Sequence, residues 1–191
     1  MEDGLLEAGK VKSYFARIGI DYENGDLPEF NLLCKINLAQ LRVIAFENLD
    51  LVHGYKVSMN VASVFKKLVT QGRGGYCFEQ NILLGAVLKS IGYEVFHVES
   101  RVRWGKPVRV LTPITHVSLI VTPPNPSPSG GVRYLVDVGF GGLGSTVPLR
   151  VDTDETQHTD GQYRVQDTPG GCKLVQWWFK QRWEDLFEFQ C

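Results

Sequence analysis

Apolar positions in the first ninety residues recur at helical spacing. Leu5, Leu6, Val11, Tyr14, Phe15 and Ile18 fall near one face of a predicted helix, and Gly19 supplies its stop. Pro28 predicts the first turn of a second helix carrying Phe30, Leu33, Ile36 and Leu41. Beyond FENLDLVHGYKV (46–57) a third is predicted, with Ser58 or Asn60 as cap and Val64, Phe65, Leu68 and Val69 facing inward, ending at Gly72. A fourth runs from Cys77 to Ile91, burying Leu84, Val87, Leu88 and Ile91 and stopping at Gly92.

From Tyr93 the period changes. YEVFHVESRVRW (93–104), HVSLIV (116–121), VRYLVDVGF (132–140), YRVQDT (163–168) and KLVQWWFK (173–180) are short and rich in β-branched and aromatic residues. TPPNPSPSGG (122–131) is a loop by composition. Helices followed by antiparallel strands predict an α+β chain, with a helical domain over 1–92 and an antiparallel β domain over 93–191. The last strand, WEDLFEFQC (183–191), ends without a turn residue or cap. It reads as an uncovered edge, and with Trp177, Trp178, Phe179, Leu186, Phe187 and Phe189 as an apolar patch promoting self-association.

Composition narrows the function classes. The 191 residues are 43% hydrophobic and 21% charged, which suits a packed core. A net charge of −1 argues against partners held by charge, so neither nucleic acid nor a membrane surface is expected. No apolar run approaches the roughly 20 residues of a membrane span. The first residues are charged and lack a signal core, which predicts a cytoplasmic protein. Cys34, Cys77, Cys172 and Cys191 are scattered without CxxC spacing, so no metal site is expected, and Cys34 and Cys172 read as small buried hydrophobes.

The candidate chemistry centres on Cys77, which opens a helix behind Gly74 and Gly75. Free N–H groups at a helix start favour a thiolate and can hold an oxyanion beside it. The two glycines would allow close approach of a substrate or a positive φ. Arg73 reads as a tie between this loop and the first lobe, against the alternative of a plain surface residue. A thiol needs a base and a group to orient it. His53 and His158 read as solvent-facing, and His97 as half-buried in a strand. His116 has a specific partner: if 116–121 and 132–137 form a hairpin with Val121 opposite Val132, His116 faces Asp137. A carboxylate holding an imidazole that serves a thiol follows the logic of a catalytic triad, with a buried structural His–Asp bond as the alternative.

The stretches YFARIG (14–19), FENLD (46–50), RGGYCFEQN (73–81), THVSLIV (115–121) and YLVDVGFGG (134–142), in this order, resemble the arylamine N-acetyltransferases. The resemblance implies a helical domain, a β-barrel domain and an α/β lid, with this chain as a C-terminally truncated member lacking the lid beyond its possible first strand. It implies acyl transfer by a ping-pong mechanism from acetyl-CoA or another acyl-CoA, through a thioester on Cys77, to an aromatic amine or hydrazine, as in xenobiotic metabolism. Catalytic roles fall on Cys77, His116 and Asp137. Phe46, Phe140 and Gly141 fall at the aromatic substrate, Thr112 and Pro113 at the CoA pantetheine, and Arg73, Gly74 and Gly75 in the supporting loop. No permanently bound cofactor is implied. A thiol hydrolase or transglutaminase-like enzyme, or an inactive chain that binds ligands, are the alternatives.

Overall fold

The computed structural model describes residues 5–23, 28–107, 110–124 and 131–190. The helices are α1 (Ala8–Ile18), α2 (Phe30–Val43), α3 (Leu49–Val52), α4 (Val61–Phe65), which continues as a π-helical turn over Lys66–Thr70, and α5 (Cys77–Ser90). Eight strands follow: β1 (Glu94–Val102), β2 (Ile114–Thr122), β3 (Tyr134–Val136), β4 (Leu149–Arg150), β5 (Gln157–His158), β6 (Gln162–Asp167), β7 (Lys173–Phe179) and β8 (Arg182–Phe189). Part of the proline-rich loop predicted at 122–131 lies outside the described residues.

Local chemistry sets the helix ends. α1 stops at Gly19, whose φ of 72° is the left-handed conformation that glycine adopts without strain. α2 begins at Phe30 with Glu29 as N-cap, so Pro28 lies ahead of the cap and not in the first turn. The Tyr93 hydroxyl donates to the Glu29 carbonyl at 2.7 Å and fixes that entry. For α4 the cap is Asn60, not Ser58: its side chain accepts from the backbone N–H groups of Ala62 and Ser63.

α5 differs from its prediction. It is enclosed on nearly every side, burying polar Glu79, Gln80 and Asn81 as well as Leu83, Leu84, Val87 and Leu88. It packs on β1 and β2 and against α1 and α4. Its polar residues are buried because they bridge elements, as the site below shows.

The strands form one antiparallel sheet in the order β4-β3-β2-β1-β8-β7-β6-β5. β8 is therefore an interior strand, paired to both β1 and β7. This corrects the reading of 183–191 as an uncovered edge. Leu186, Phe187 and Phe189 are 0%, 2% and 2% exposed, inside a core with Val98, Ile120, Leu135 and Val175. Three of the six residues of the patch inferred for self-association are thus interior. The β7–β8 turn is made by Lys180 and Gln181, both at positive φ without a glycine.

β4 and β5, the two ends of the strand order, meet through one side chain. The Gln157 Oε1 accepts from the Arg150 N–H at 2.7 Å, and its Nε2 donates to the Arg150 carbonyl at 2.9 Å. This amide copies a ladder pair and draws the sheet towards a barrel. One core fills the barrel; a second lies between the helices and the outward side chains Val95, Leu119, Val121 and Val136. Alternation along β2 thus feeds two cores, which explains its continuous buried run from His116 to Val121.

If β8 is interior, Leu186→Ala should cost about 2–5 kcal/mol of unfolding free energy. Trp178→Ala, at a side chain 38% exposed, should cost less. Denaturant titration of both variants checks the order; a free edge strand would reverse it.

Candidate active site

The three residues predicted to act together are brought together. Cys77 is the first residue of α5 and is 8% exposed. Its thiol donates to the Thr115 carbonyl at 3.7 Å, and the sulfur is near enough to the His116 imidazole to favour its charged form. His116 Nε2 lies 2.6 Å from Asp137 Oδ2, both side chains being nearly enclosed. With Nε2 taken by the carboxylate, Nδ1 is the nitrogen left for sulfur.

The hairpin register differs from the one that suggested this pair. β2 and β3 pair Val121 with Tyr134 and Leu119 with Val136, two residues away from the predicted alignment. Arg133 explains the offset, since its carbonyl accepts from Val151 and the chain joins β3 only at Tyr134. A shift of two preserves the face of every side chain. Asp137 therefore stays on the barrel side with His116 and reaches it diagonally. A β-bulge aids the aim: Ser100 faces His116 and Arg101 faces Ile114, leaving Thr115 as the extra residue. The carbonyl of that extra residue is the one meeting the Cys77 thiol.

Asp137 is held from its far side as well. Its Oδ1 accepts from Asn81 Nδ2 at 3.0 Å and from the Gly139 N–H at 2.8 Å. Asn81 Nδ2 also donates to the Val117 carbonyl at 2.8 Å, and its Oδ1 accepts from the Val138 N–H at 3.2 Å. One buried amide thus joins α5, β2 and the turn after β3. Gly139 is required by contact: a Cβ there would come 2.6 Å from the Cys77 Cα. Asn81 and Gly139 stand within the quoted motifs but were given no role, because a spacing cannot show which residues touch.

The loop before Cys77 is fixed by backbone pairing. Gly75 N–H donates to the Ala45 carbonyl at 3.1 Å, and Glu47 N–H to the Gly75 carbonyl at 3.0 Å. A Cβ on Gly74 would lie 2.3 Å from the Ala45 oxygen, and one on Gly75 would lie 3.0 Å from Glu79. Neither glycine has a positive φ; Gly74 serves close packing against the chain at 45–47 and Gly75 against the Glu79 and Leu68 side chains, and in this stretch the left-handed conformation falls on Gly72. Gln80 Nε2 secures the same strip by donating to the carbonyls of Ile44 and Ala45 at 3.0 and 3.1 Å.

Arg73 does tie the loop down. It donates to Glu47 Oε1 at 2.9 Å and Asp50 Oδ1 at 2.7 Å. Lys67, absent from the sequence reading, is more enclosed and reaches Asp50 and Glu79, each at 2.8 Å. Burial works against the Lys67 charge, but Asp50 and Glu79 outweigh it and raise its pKa; Lys67 and then Arg73 lower that of Asp50.

The remaining predicted residues fall around this centre. The Phe140 ring meets His116 edge-on at 5.3 Å, and Phe187, which the sequence reading placed in an exposed patch, meets it at 5.2 Å. Phe46 is 52% exposed. It lines, with Gly141, a cleft of about 430 Å³. Thr112 is buried with its hydroxyl unpartnered, while its carbonyl is held by Arg101 and Pro113 is exposed. His53 and His158 are exposed as expected; His97, expected to be half-buried, is exposed as well, with its ring over Gly85. Cys34 and Cys172 are half-buried, not buried. Among the described residues no group of three acidic, histidine or cysteine side chains is placed to hold a metal, and no helix is long and apolar enough to cross a membrane.

A helical layer delivering a thiol to a histidine and an aspartate on an antiparallel sheet defines the class of fold. Residues 29–191 match the family model described as N-acetyltransferase. The arylamine N-acetyltransferase of Mycobacterium tuberculosis is 42% identical over 94% of this chain. The solved arylamine N-acetyltransferase of Salmonella typhimurium aligns with 97% of this chain and 64% of its own, with a TM-score of 0.87 and 30% identity. That of Mycobacterium marinum, solved in complex with CoA, aligns with 94% of this chain and 65% of its own at a TM-score of 0.85 and 37% identity. The chain belongs to the arylamine N-acetyltransferase family. It spans 62% of the length of the M. tuberculosis relative.

Burial disfavours a charged His116, but the Asp137 charge, the hydrogen bond to it and the Cys77 thiol outweigh burial, and its pKa is pushed up to about 10. That lies above the ordinary 6.5, so protonated His116 stabilises the folded chain fully below pH 6.5 and loses that contribution as pH rises towards about 10. In the Asp137→Asn protein the main opponent of burial is gone, and His116 should titrate near or below 6.5. NMR titration of the imidazole in both proteins reads this directly. Asn81→Ala should cost about 1–3 kcal/mol, the price of leaving its buried partners unmatched, measurable by denaturant unfolding.

Proposed function

We propose that this chain carries out acyl transfer from acetyl-CoA, or another short acyl-CoA, to an aromatic amine or hydrazine, through a thioester on Cys77. The observation that supports it most is the 2.6 Å pairing of His116 with Asp137 beside the Cys77 sulfur, in a chain of this family.

In the first half-reaction the Cys77 proton passes to His116, and the thiolate attacks the acyl carbonyl. The bond between acyl carbon and CoA sulfur breaks, and CoA leaves with the proton from His116. In the second, the amine nitrogen attacks the thioester, His116 takes its proton, and the Cys77 thiolate is released with the acyl group now on nitrogen. Asp137 orients the imidazole and stabilises its charged form throughout. The first-turn N–H groups of α5 are directed at the oxyanion of each tetrahedral intermediate. Phe46, Phe140 and Gly141 border the aromatic acceptor. Thr112 and Pro113 border the pantetheine.

Incubation with acetyl-CoA, followed by intact-mass and peptide analysis, should show one acetyl group on Cys77 and none in the Cys77→Ser protein. An arylamine should discharge it. A thiol hydrolase would show no CoA-dependent adduct, and that result would overturn the proposal. Asp137→Asn should slow acetylation by roughly 10²- to 10⁴-fold while the protein stays folded.

A further inference from the structure

The cleft beside Phe46 carries one feature that aromatic stacking does not explain. Its walls include the aromatic residues Phe46, Tyr163 and Trp177, together with Val138 and Gly141, and its one ionised lining group is Asp160. The Asp160 carboxylate accepts from the Thr159 hydroxyl at 2.8 Å and, more weakly, from the Thr146 N–H at 3.3 and 3.4 Å. Both donors are neutral, and among the described residues no lysine, arginine or histidine forms an ion pair with it. Its field is felt by the wall: burial first, and then the Asp160 charge, push the Tyr163 hydroxyl pKa up to about 12.

Position relates this cleft to the thiol. Val138 and Gly141 belong to the turn whose Gly139 lies against the Cys77 backbone and whose Phe140 meets His116. Phe46 is bridged to Gly75, two residues before Cys77. The segments flanking the thiol on both sides therefore also flank the cleft.

We propose that this cleft selects aromatic amines bearing a second, protonated amino group on a short tether, with the ring against Phe46 or Trp177 and the ammonium at Asp160. Aromatic faces and a carboxylate without a cation are the two halves of a site for such a ligand. The aniline nitrogen is uncharged near neutral pH and stays nucleophilic, while the aliphatic nitrogen carries the charge. This names the acceptor subclass and rests on the acyl-transfer reading above. Asp160 is solvent-exposed, so the preference is modest and sensitive to salt.

Binding of three probes to the 191-residue chain tests it: 4-(2-aminoethyl)aniline, its uncharged analogue 4-propylaniline, and the anionic 4-aminophenylacetate. Isothermal titration at low ionic strength should rank them ammonium, neutral, anion, with the first about 2- to 5-fold tighter than the second, the size of an exposed charge pair. Added salt should shrink that ratio, and Asp160→Asn, which keeps an oxygen for Thr146 and Thr159, should erase it. Equal affinities, no binding by any probe, or a preference that survives Asp160→Asn would overturn the inference. Because binding is read without turnover, its failure alongside an acetylated Cys77 rejects the cleft alone. A charge preference without an acetyl adduct rejects the transfer reading instead.

Discussion

The arrangement around Cys77 depends on a single carboxylate being held at both of its oxygens. Asp137 gives Oδ2 to His116 and Oδ1 to Asn81 and Gly139. The imidazole cannot swing away without losing a buried charge partner, and the carboxylate cannot rotate without abandoning two donors. Asn81 belongs to the helix that Cys77 opens, so the helix bearing the sulfur also sets the orientation of the acid that sets the histidine. Geometry across two structural layers is thereby reduced to hydrogen bonds spanning a few ångströms.

Buried amides and missing side chains do the rest of the joining. Gln40 lies between the Tyr14 hydroxyl and Gln80, and Gln80 passes the connection to the carbonyls at 44 and 45. Tyr14, Gln40 and Gln80 are fully enclosed, so each unmatched donor among them would be costly. Gly74 and Gly139 let backbone segments approach more closely than any side chain allows. The charged group around Lys67 and Arg73 then anchors the same loop from outside. Mobility is removed from the loop by several weak restraints, none of which touches the sulfur.

Much of this was legible in the sequence, and the boundary has physical causes. Helical period, a cap at Ser58 or Asn60 and the stop at Gly19 are local properties, and they were readable. Cys77, His116 and Asp137 stood out because a thiol at a helix start and an acid in an apolar run are each unusual. Register was not readable, since a slip of two residues leaves the alternation unchanged; the pair survived because the same slip also preserves its face. The place of β8 was missed because strand order depends on long-range pairing, and an apolar strand looks the same at an edge or in the middle. Glu79, Gln80 and Asn81 were given no role, and the enclosure of α5 shows them bridging its neighbours.

The Gln157 amide has a meaning beyond the packing it completes. Only the two-residue strands β4 and β5 end the strand order, and they are turned towards each other by one side chain that mimics a peptide group. A foreign strand seeking to extend the sheet would have to displace that amide and would find only a short template behind it. The ring therefore guards itself against templated stacking of like molecules, and its guard is one glutamine whose backbone already serves a different neighbour.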